Sequence, residues 1–175
     1  MNVYDAIRTK RAIREFSPDP IPEETLLRIL NAGRLAGSSK NSQPWHFIVL
    51  RDRDRLQALS ECGQWAGHLA GAAVGVALVT GDWRERWPVA FDLGRAAQNM
   101  MLTAHELGIG SVIANIYDME RAHQLLQLPE DKMCYAAISF GYPADPAALQ
   151  RPPRKGRKRA LAEVVHWDIF PPSFR

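Results

Sequence analysis

LGRAAQNMMLTAHELGIGSVIANI, residues 93–116, reads as one helix followed directly by one strand. Leu93, Ala97, Met100, Ala104 and Leu107 recur at spacings of four, three, four and three, which lines a single helical face. Gly108 is a natural C-terminal stop. Ser111–Ile116 then reads as a strand. Gly94, Ala96 and Ala97 are small enough to let another helix approach, and Met100 and Met101 read as core or interface packing rather than as ligands.

Working outward, a first helix is expected from about Tyr4 to Arg11. Ser17-Pro18-Asp19-Pro20 forces an extended segment, because each proline restricts the residue before it. Pro22, Glu23 and Glu24 have the composition of a first helical turn, and Leu26, Leu27, Leu30, Ala32 and Leu35 carry the period to about Ala36. Gly37–Pro44 is a polar loop of turn residues. Strands are expected at Trp45–Leu50, Ala73–Thr80 and Met133–Phe140, with a helix at Met119–Leu128. Strands and helices alternate without regular βαβ spacing. The pattern therefore predicts an α+β fold, a sheet flanked by helices, with no internal repeat.

A chain of 175 residues suits one domain with a sizeable core. The expected division is a core over about 1–143 and an arm over about 144–175, where Pro, Ala, Arg and Lys take over after Gly141-Tyr142-Pro143. No apolar run approaches the roughly 20 residues of a membrane helix, and the N-terminus has no signal-peptide pattern. Cys62 and Cys134 fit two reduced thiols, so the expected compartment is the cytoplasm. The net charge is only +3, yet Arg151–Arg159 (RPPRKGRKR) gathers six cations in nine positions and Arg8, Lys10, Arg11 and Arg14 form a second group. Alone, each cluster is equally a solvated charge run. A nucleic-acid module would interleave aromatics with its cations; the basic tail holds none, and the rest of the chain is nearly neutral, so no nucleic-acid partner is expected.

Neither a dinucleotide-binding nor a P-loop glycine pattern is present. His46, His68, His105, His123 and His166 show no metal-ligand spacing, and no serine-hydrolase elbow exists. Side-chain nucleophilic chemistry has no support, which suits an enzyme whose chemistry a cofactor carries. Four segments remain. Lys10-Arg11-Ala12-Ile13-Arg14-Glu15-Phe16 places three cations where a chain leaving a helix can converge them on one anion. Gly37–Trp45 (GSSKNSQPW) offers hydroxyl and amide groups suited to a planar cofactor's edge, though alone it is a turn. Leu107–Asp118 is otherwise an ordinary helix-to-strand turn, and Arg157–Trp167 could add phosphate cations.

Taken together, the chain resembles the nitroreductase family from about Val3 to Trp167. The resemblance is carried by KRAIREF (10–16), SSKNSQPWHFIV (38–49), DLGRAAQNMMLTAHELGIGS (92–111), ISFGYP (138–143) and RALAEVVHW (159–167). It implies an α+β core with a mainly antiparallel central sheet, terminal arms that embrace a partner, and a homodimer holding FMN at its interface. By resemblance Lys10, Arg11 and Arg14 would contact the flavin phosphate and pyrimidine edge, completed by Lys158 with Arg157 or Arg159. Gly37, Ser38, Ser39 and Asn41 would reach the flavin of the other subunit. Asn115-Ile116 would lie beside the ring, with the Ile116 backbone N–H near flavin N5. The chain departs from the family at Ala12, where serine is common, and at Asn115 and Ile116, where glycine is common. It is also short between Gly81 and Phe91, so the substrate cavity is expected to be more open, or lined by Trp83 and Trp87 from either subunit. The implied activity is ping-pong: NADH or NADPH reduces FMN, and a nitroaromatic, quinone or related small oxidant reoxidises it, with no catalytic side chain. Dehydrogenation or dehalogenation of one metabolite, or flavin binding without turnover, are the alternatives.

Overall fold

The computed structural model describes residues 1–152 and 158–170. Its elements run α1 (Val3–Thr9), α2 (Glu23–Arg34), β1 (His46–Leu50), α3 (Arg53–Ser60), β2 (Val74–Thr80), α4 (Pro88–Glu106), β3 (Gly110–Asn115), α5 (Met119–Leu126) and β4 (Met133–Gly141). The four strands form one antiparallel sheet in the order β1-β2-β4-β3. The α+β expectation, with its antiparallel sheet, is met.

β2 (VGVALVT) is buried along its whole length, as a central strand covered on both faces must be. Alternation then sends its side chains to two cores. Val74, Val76 and Leu78, with Ile138 and Phe140 of β4, face Leu26 and Ile29 of α2 and Leu93, Ala96 and Met100 of α4. Ala77 and Val79, with Cys134 and Ala137, face Leu56 and Leu59 of α3 and Ala122 and Leu126 of α5. The sheet is the middle of three layers.

α4 begins at Pro88, before the first apolar position of its period, since a proline at the first turn has no amide to satisfy. Its close neighbour is α2: a side chain at Gly33 would stand 2.8 Å from Met100 Cγ. The small residue that lets these helices meet is thus on α2. α3 has no counterpart among the sequence expectations. Asp52 caps it, accepting from the Arg55 N–H at 2.9 Å, and only Leu56 and Leu59 give its core-facing side large apolar groups. In RDRDRLQALS those two leucines are outnumbered by charge, so the period is hidden.

The chain ahead of α2 runs along the outer edge of the sheet. Ala12 bridges Ser111 and Phe16 bridges Pro143. Side chains at Gly110 and Gly141 would each lie 2.8 Å from Ile13 and Phe16 respectively. These two glycines let the segment press onto the sheet, burying Ile13 and leaving Arg14 exposed.

Candidate functional site

β3 is an edge strand, and its uncovered side is the natural place for a ligand. The Ile116 N–H donates to the Tyr135 carbonyl at 3.0 Å, and Asn115 pairs with Ala136. In an antiparallel ladder this alternation turns the main-chain groups of Ser111, Ile113 and Asn115 away from β4. The Ser111 carbonyl accepts from the Ile13 N–H at 3.2 Å, and beyond the strand Tyr117 and Asp118 both donate to the Cys62 carbonyl, at 2.9 and 3.0 Å. A side chain at Gly63 would collide with the Asn115 carbonyl. Both ends of the edge are therefore covered, and the Ile113 peptide groups and the Asn115 N–H lie between them. The amide offered at this edge belongs to Asn115, because that of Ile116 is already used inside the sheet.

The N-terminal cations divide into two kinds. Arg11 donates to the carbonyls of Arg8 (3.0 Å), Lys10 (2.9 Å) and Arg151 (3.2 Å), so its guanidinium ties off α1 and holds the start of the C-terminal arm. Lys10 is half-buried, and its one hydrogen-bond partner among the described residues is the Met101 thioether at 3.5 Å. Burial, and then the nearby Arg14 guanidinium, lower its pKa. A partly desolvated ammonium is stabilised by a nearby negative charge. His105, electrostatically coupled to Lys10, is bound through Nε2 to Thr9 Oγ1 at 2.9 Å. Its Nδ1, and the buried Ser111 Oγ, have no partner among the described residues.

Arg14 lines a cleft of about 500 Å³ with Gln64, Trp65, Gly67 and His68. His68 Nδ1 lies 2.5 Å from the Oγ of Ser139, which is fully buried. SECGQWAGHLAG (60–71) shows small and polar residues with no period, so nothing in the sequence marks this loop.

The loop of Gly37–Pro44 is held rather than free. Buried Asp92 of α4 accepts from the Ser39 N–H at 2.9 Å and pairs with Arg95 at 3.6 Å. Ser38 Oγ accepts from the Gln43 N–H at 2.9 Å, and Thr80 Oγ1 donates to the Pro44 carbonyl at 2.9 Å. Between these anchors Lys40, Asn41 and Gln43 take positive φ of 55°, 55° and 45°, a conformation of the kind that gathers at ligand loops. Gly37 and Asn41 are exposed, and Ser38 and Ser39 half-buried. The sequence could not show Asp92, which lies 53 residues away from the amide it holds.

On the α4 side of β3, Leu78, Trp83, Leu93, Ala97, Ile113 and Tyr135 line an apolar cavity of about 400 Å³ that also touches Asn115. Tyr135 is the extra residue of a bulge in β4, opposite the Leu78/Val79 step. Its hydroxyl donates to Asp82 at 3.1 Å. Trp83 lines this cavity, whereas Trp87 stands outside it, 71% exposed. Lys158 and Arg159 are exposed, and Arg157 lies outside the described residues.

A family model described as the nitroreductase family matches residues 7–66 and 63–142. The chain is 33% identical over 151 residues to a Methanothermobacter thermautotrophicus protein provisionally named an NADH dehydrogenase/NAD(P)H nitroreductase, covering 83% of this chain and 79% of that one. An Archaeoglobus fulgidus protein of the same name is 36% identical over 146 residues, covering 79% and 84%. Among solved structures, the FMN-dependent nitroreductase of Clostridium difficile superposes with a TM-score of 0.84 at 26% identity, covering 96% of this chain and all of that one.

Proposed function

Because the chain belongs to the nitroreductase family, and is thus an oxidoreductase with NAD(P)H-linked relatives, we propose that it is an FMN-dependent NAD(P)H oxidoreductase that works as a homodimer in the cytoplasm. The observation that carries the proposal is the β3 edge. A short stretch of main chain without a backbone partner among the described residues, ending in the Asn115 N–H, lies between the cations of the N-terminal segment and the loop of Gly63–His68. A flavin has a phosphate at one end and a ring edge of alternating donors and acceptors at the other.

The residues present fit that group. Lys10 needs an anion, Arg14 stands beside it, and the unpartnered Ser111 Oγ and His105 Nδ1 lie on the elements that meet there. When bound, FMN supplies the ability to accept a hydride at N5 and pass reducing equivalents to an oxidant. The protein's part is binding and electrostatics. Lys10 and Arg14 hold the phosphate and bias the site toward negative charge. The Asn115 amide hydrogen-bonds the ring edge. The pinned Gly37–Asn41 loop presents Ser38, Ser39 and Asn41 to a flavin held by the second subunit, and Lys158, with Arg157 or Arg159, adds charge from the arm. The apolar cavity beside Trp83 and Tyr135 suits a flat, weakly polar oxidant such as a nitroaromatic or a quinone.

Exposed apolar groups support the dimer. Val3, Tyr4 and Ile7 of α1 are 73, 74 and 56% exposed, and Trp167, Ile169 and Phe170 near the C-terminus are 84, 73 and 63% exposed. A lone protomer would carry these in water, which marks an association surface. The decisive measurement is the absorption spectrum of the purified protein, followed by anaerobic addition of NADH or NADPH. Yellow protein that bleaches supports the assignment and ranks the donors; colourless protein that takes up no added FMN overturns it.

A further inference from the structure

Trp83 is a wall shared by two cavities. On one side lies the apolar cavity of about 400 Å³ described above; on the other is a cavity of about 480 Å³ that Arg84, Tyr117, Asp118 and Glu120 also line. The two differ in charge. No residue lining the first is ionised, and its polar side chains are the Asn115 amide and the Tyr135 hydroxyl. The second has the carboxylates of Asp118 and Glu120, and its Arg84 guanidinium is paired with Asp82 at 3.1 Å. The turn that carries Trp83 is closed by its own bonds: the Asp82 carboxylate accepts from the Arg84 N–H at 2.8 Å, and the Asp82 carbonyl from the Arg86 N–H at 3.3 Å. Among the described residues, every hydrogen bond from residues 82–87 to the sheet passes through the Tyr135 hydroxyl. It accepts from the Trp83 N–H at 3.4 Å and donates to Asp82 at 3.1 Å. The bulge of β4 aims this ring at the turn. A phenol has one proton. The Met133 thioether also lies 3.1 Å away, but a carboxylate is the stronger acceptor, so the proton goes to Asp82 and none is left for a ligand.

We propose that Trp83 is a specificity-determining residue, an aromatic wall that holds an uncharged aromatic oxidant in the apolar cavity, and that Tyr135 is the positioning residue that keeps the wall in place. A flat ring stacks on the indole. An anionic substituent finds neither a cation in the cavity nor a donor on Tyr135, and burying it unpaired is costly. Asp118 and Glu120 stand behind the wall and repel it. The site therefore discriminates by charge as well as by shape. The inference rests on the oxidoreductase reading above and adds which oxidants of that class are taken, and through which residues.

The test uses full-length protein and two quinones with the same ring system, an uncharged naphthoquinone and its sulfonated analogue. Reduced holoprotein is mixed with each, and reoxidation is followed by absorbance. Native protein is expected to half-saturate at a concentration about tenfold or more lower with the uncharged quinone. Trp83→Ala should raise that concentration about tenfold, while Trp83→Phe, which keeps a flat ring, should stay within about threefold of the native protein. Native protein that prefers the sulfonated quinone, or Trp83→Ala protein that saturates as the native does, overturns the proposal. Tyr135→Phe removes only the hydroxyl. Its readout is the accessibility of Trp83 in protein without flavin, taken as the difference in acrylamide quenching between a protein and its Trp83→Phe counterpart. Quenching about twofold greater in Tyr135→Phe supports the positioning role, and equal quenching overturns it. In native protein without flavin, the uncharged quinone should quench Trp83 at lower concentrations than the sulfonated one; no difference, or the reverse order, overturns the proposal. Native protein that takes up no FMN, or whose reduced form neither quinone reoxidises, refutes the oxidoreductase reading instead, and the quenching measurements still decide the role of Trp83.

Discussion

Lys10 and Arg14 are neighbouring cations, and neither has a carboxylate partner in a hydrogen bond or ion pair among the described residues. The folded state holds the Lys10 ammonium in a poorly solvated place, so its pKa lies below the ordinary lysine value of about 10.4. Between the two values the unfolded chain binds more protons than the folded one, so stability rises with pH across that window. Denaturant midpoints of apo-protein should climb as pH approaches 10, and Lys10→Met should flatten the climb. The same variant should weaken FMN about tenfold or more, the worth of one charge-assisted bond. A midpoint that falls with pH in this range, equally in both proteins, would remove Lys10 from the anion site. Arg14→Glu sets a carboxylate beside the phosphate and should release the flavin; a purified variant with full yellow occupancy would refute its role. His105 gives the opposite end of the pH scale. Burial first, then Lys10 and Arg11, lower its pKa, so stability should fall as pH drops below about 6.5, where the unfolded histidine takes up its proton.

At the scale of elements, α4 does two jobs. Its Met100 face packs against α2 through Gly33, and its first turns hold the Gly37–Pro44 loop through Asp92. Gly33→Val would drive a side chain into Met100 and should cost about 1–3 kcal/mol, read by chemical denaturation. Asp92→Ala leaves the Ser39 amide without its charged acceptor. The expected cost is about 1.5–3 kcal/mol, together with weaker FMN binding, because the loop is proposed to serve the flavin of the other subunit. Full FMN affinity in a folded Asp92→Ala protein would show that the loop does not contact the cofactor. Both thiols are buried in the core. Burial pushes Cys134 up to about 12 and raises Cys62 as well, so neither is a reactive nucleophile.

For the whole molecule, the apolar face of α1 and the exposed aromatic residues near the C-terminus are the surfaces that the proposed dimer would cover. Charging that face, as in Ile7→Asp with Tyr4→Asp, should shift the sedimentation coefficient to that of a monomer and lower FMN occupancy in parallel. A variant that stays monomeric yet keeps its flavin would place the cofactor wholly within one protomer. No helix among the described residues is long and apolar enough to cross a membrane.

The sequence determined what depends on local order. The period of Leu93–Leu107, the stop at Gly108, the turn chemistry of Gly37–Pro44 and the apolar run of β2 lie within short windows, and each element formed where its window said. The cations of KRAIREF were equally plain as a group. Tertiary structure decided how each is placed: Arg11 caps a helix and grips residue 151, while Lys10 is half-buried against Met101 and Arg14 is exposed. It also moved the edge amide from Ile116 to Asn115, because strand pairing rather than residue type sets which N–H faces out. His68 and Asp92 became legible only when β4 and the loop of Gly37–Pro44 were brought beside them. A hydrogen bond across 71 or 53 residues leaves no period in a sequence; it exists because packing the sheet buries a hydroxyl or an amide that must then find a partner.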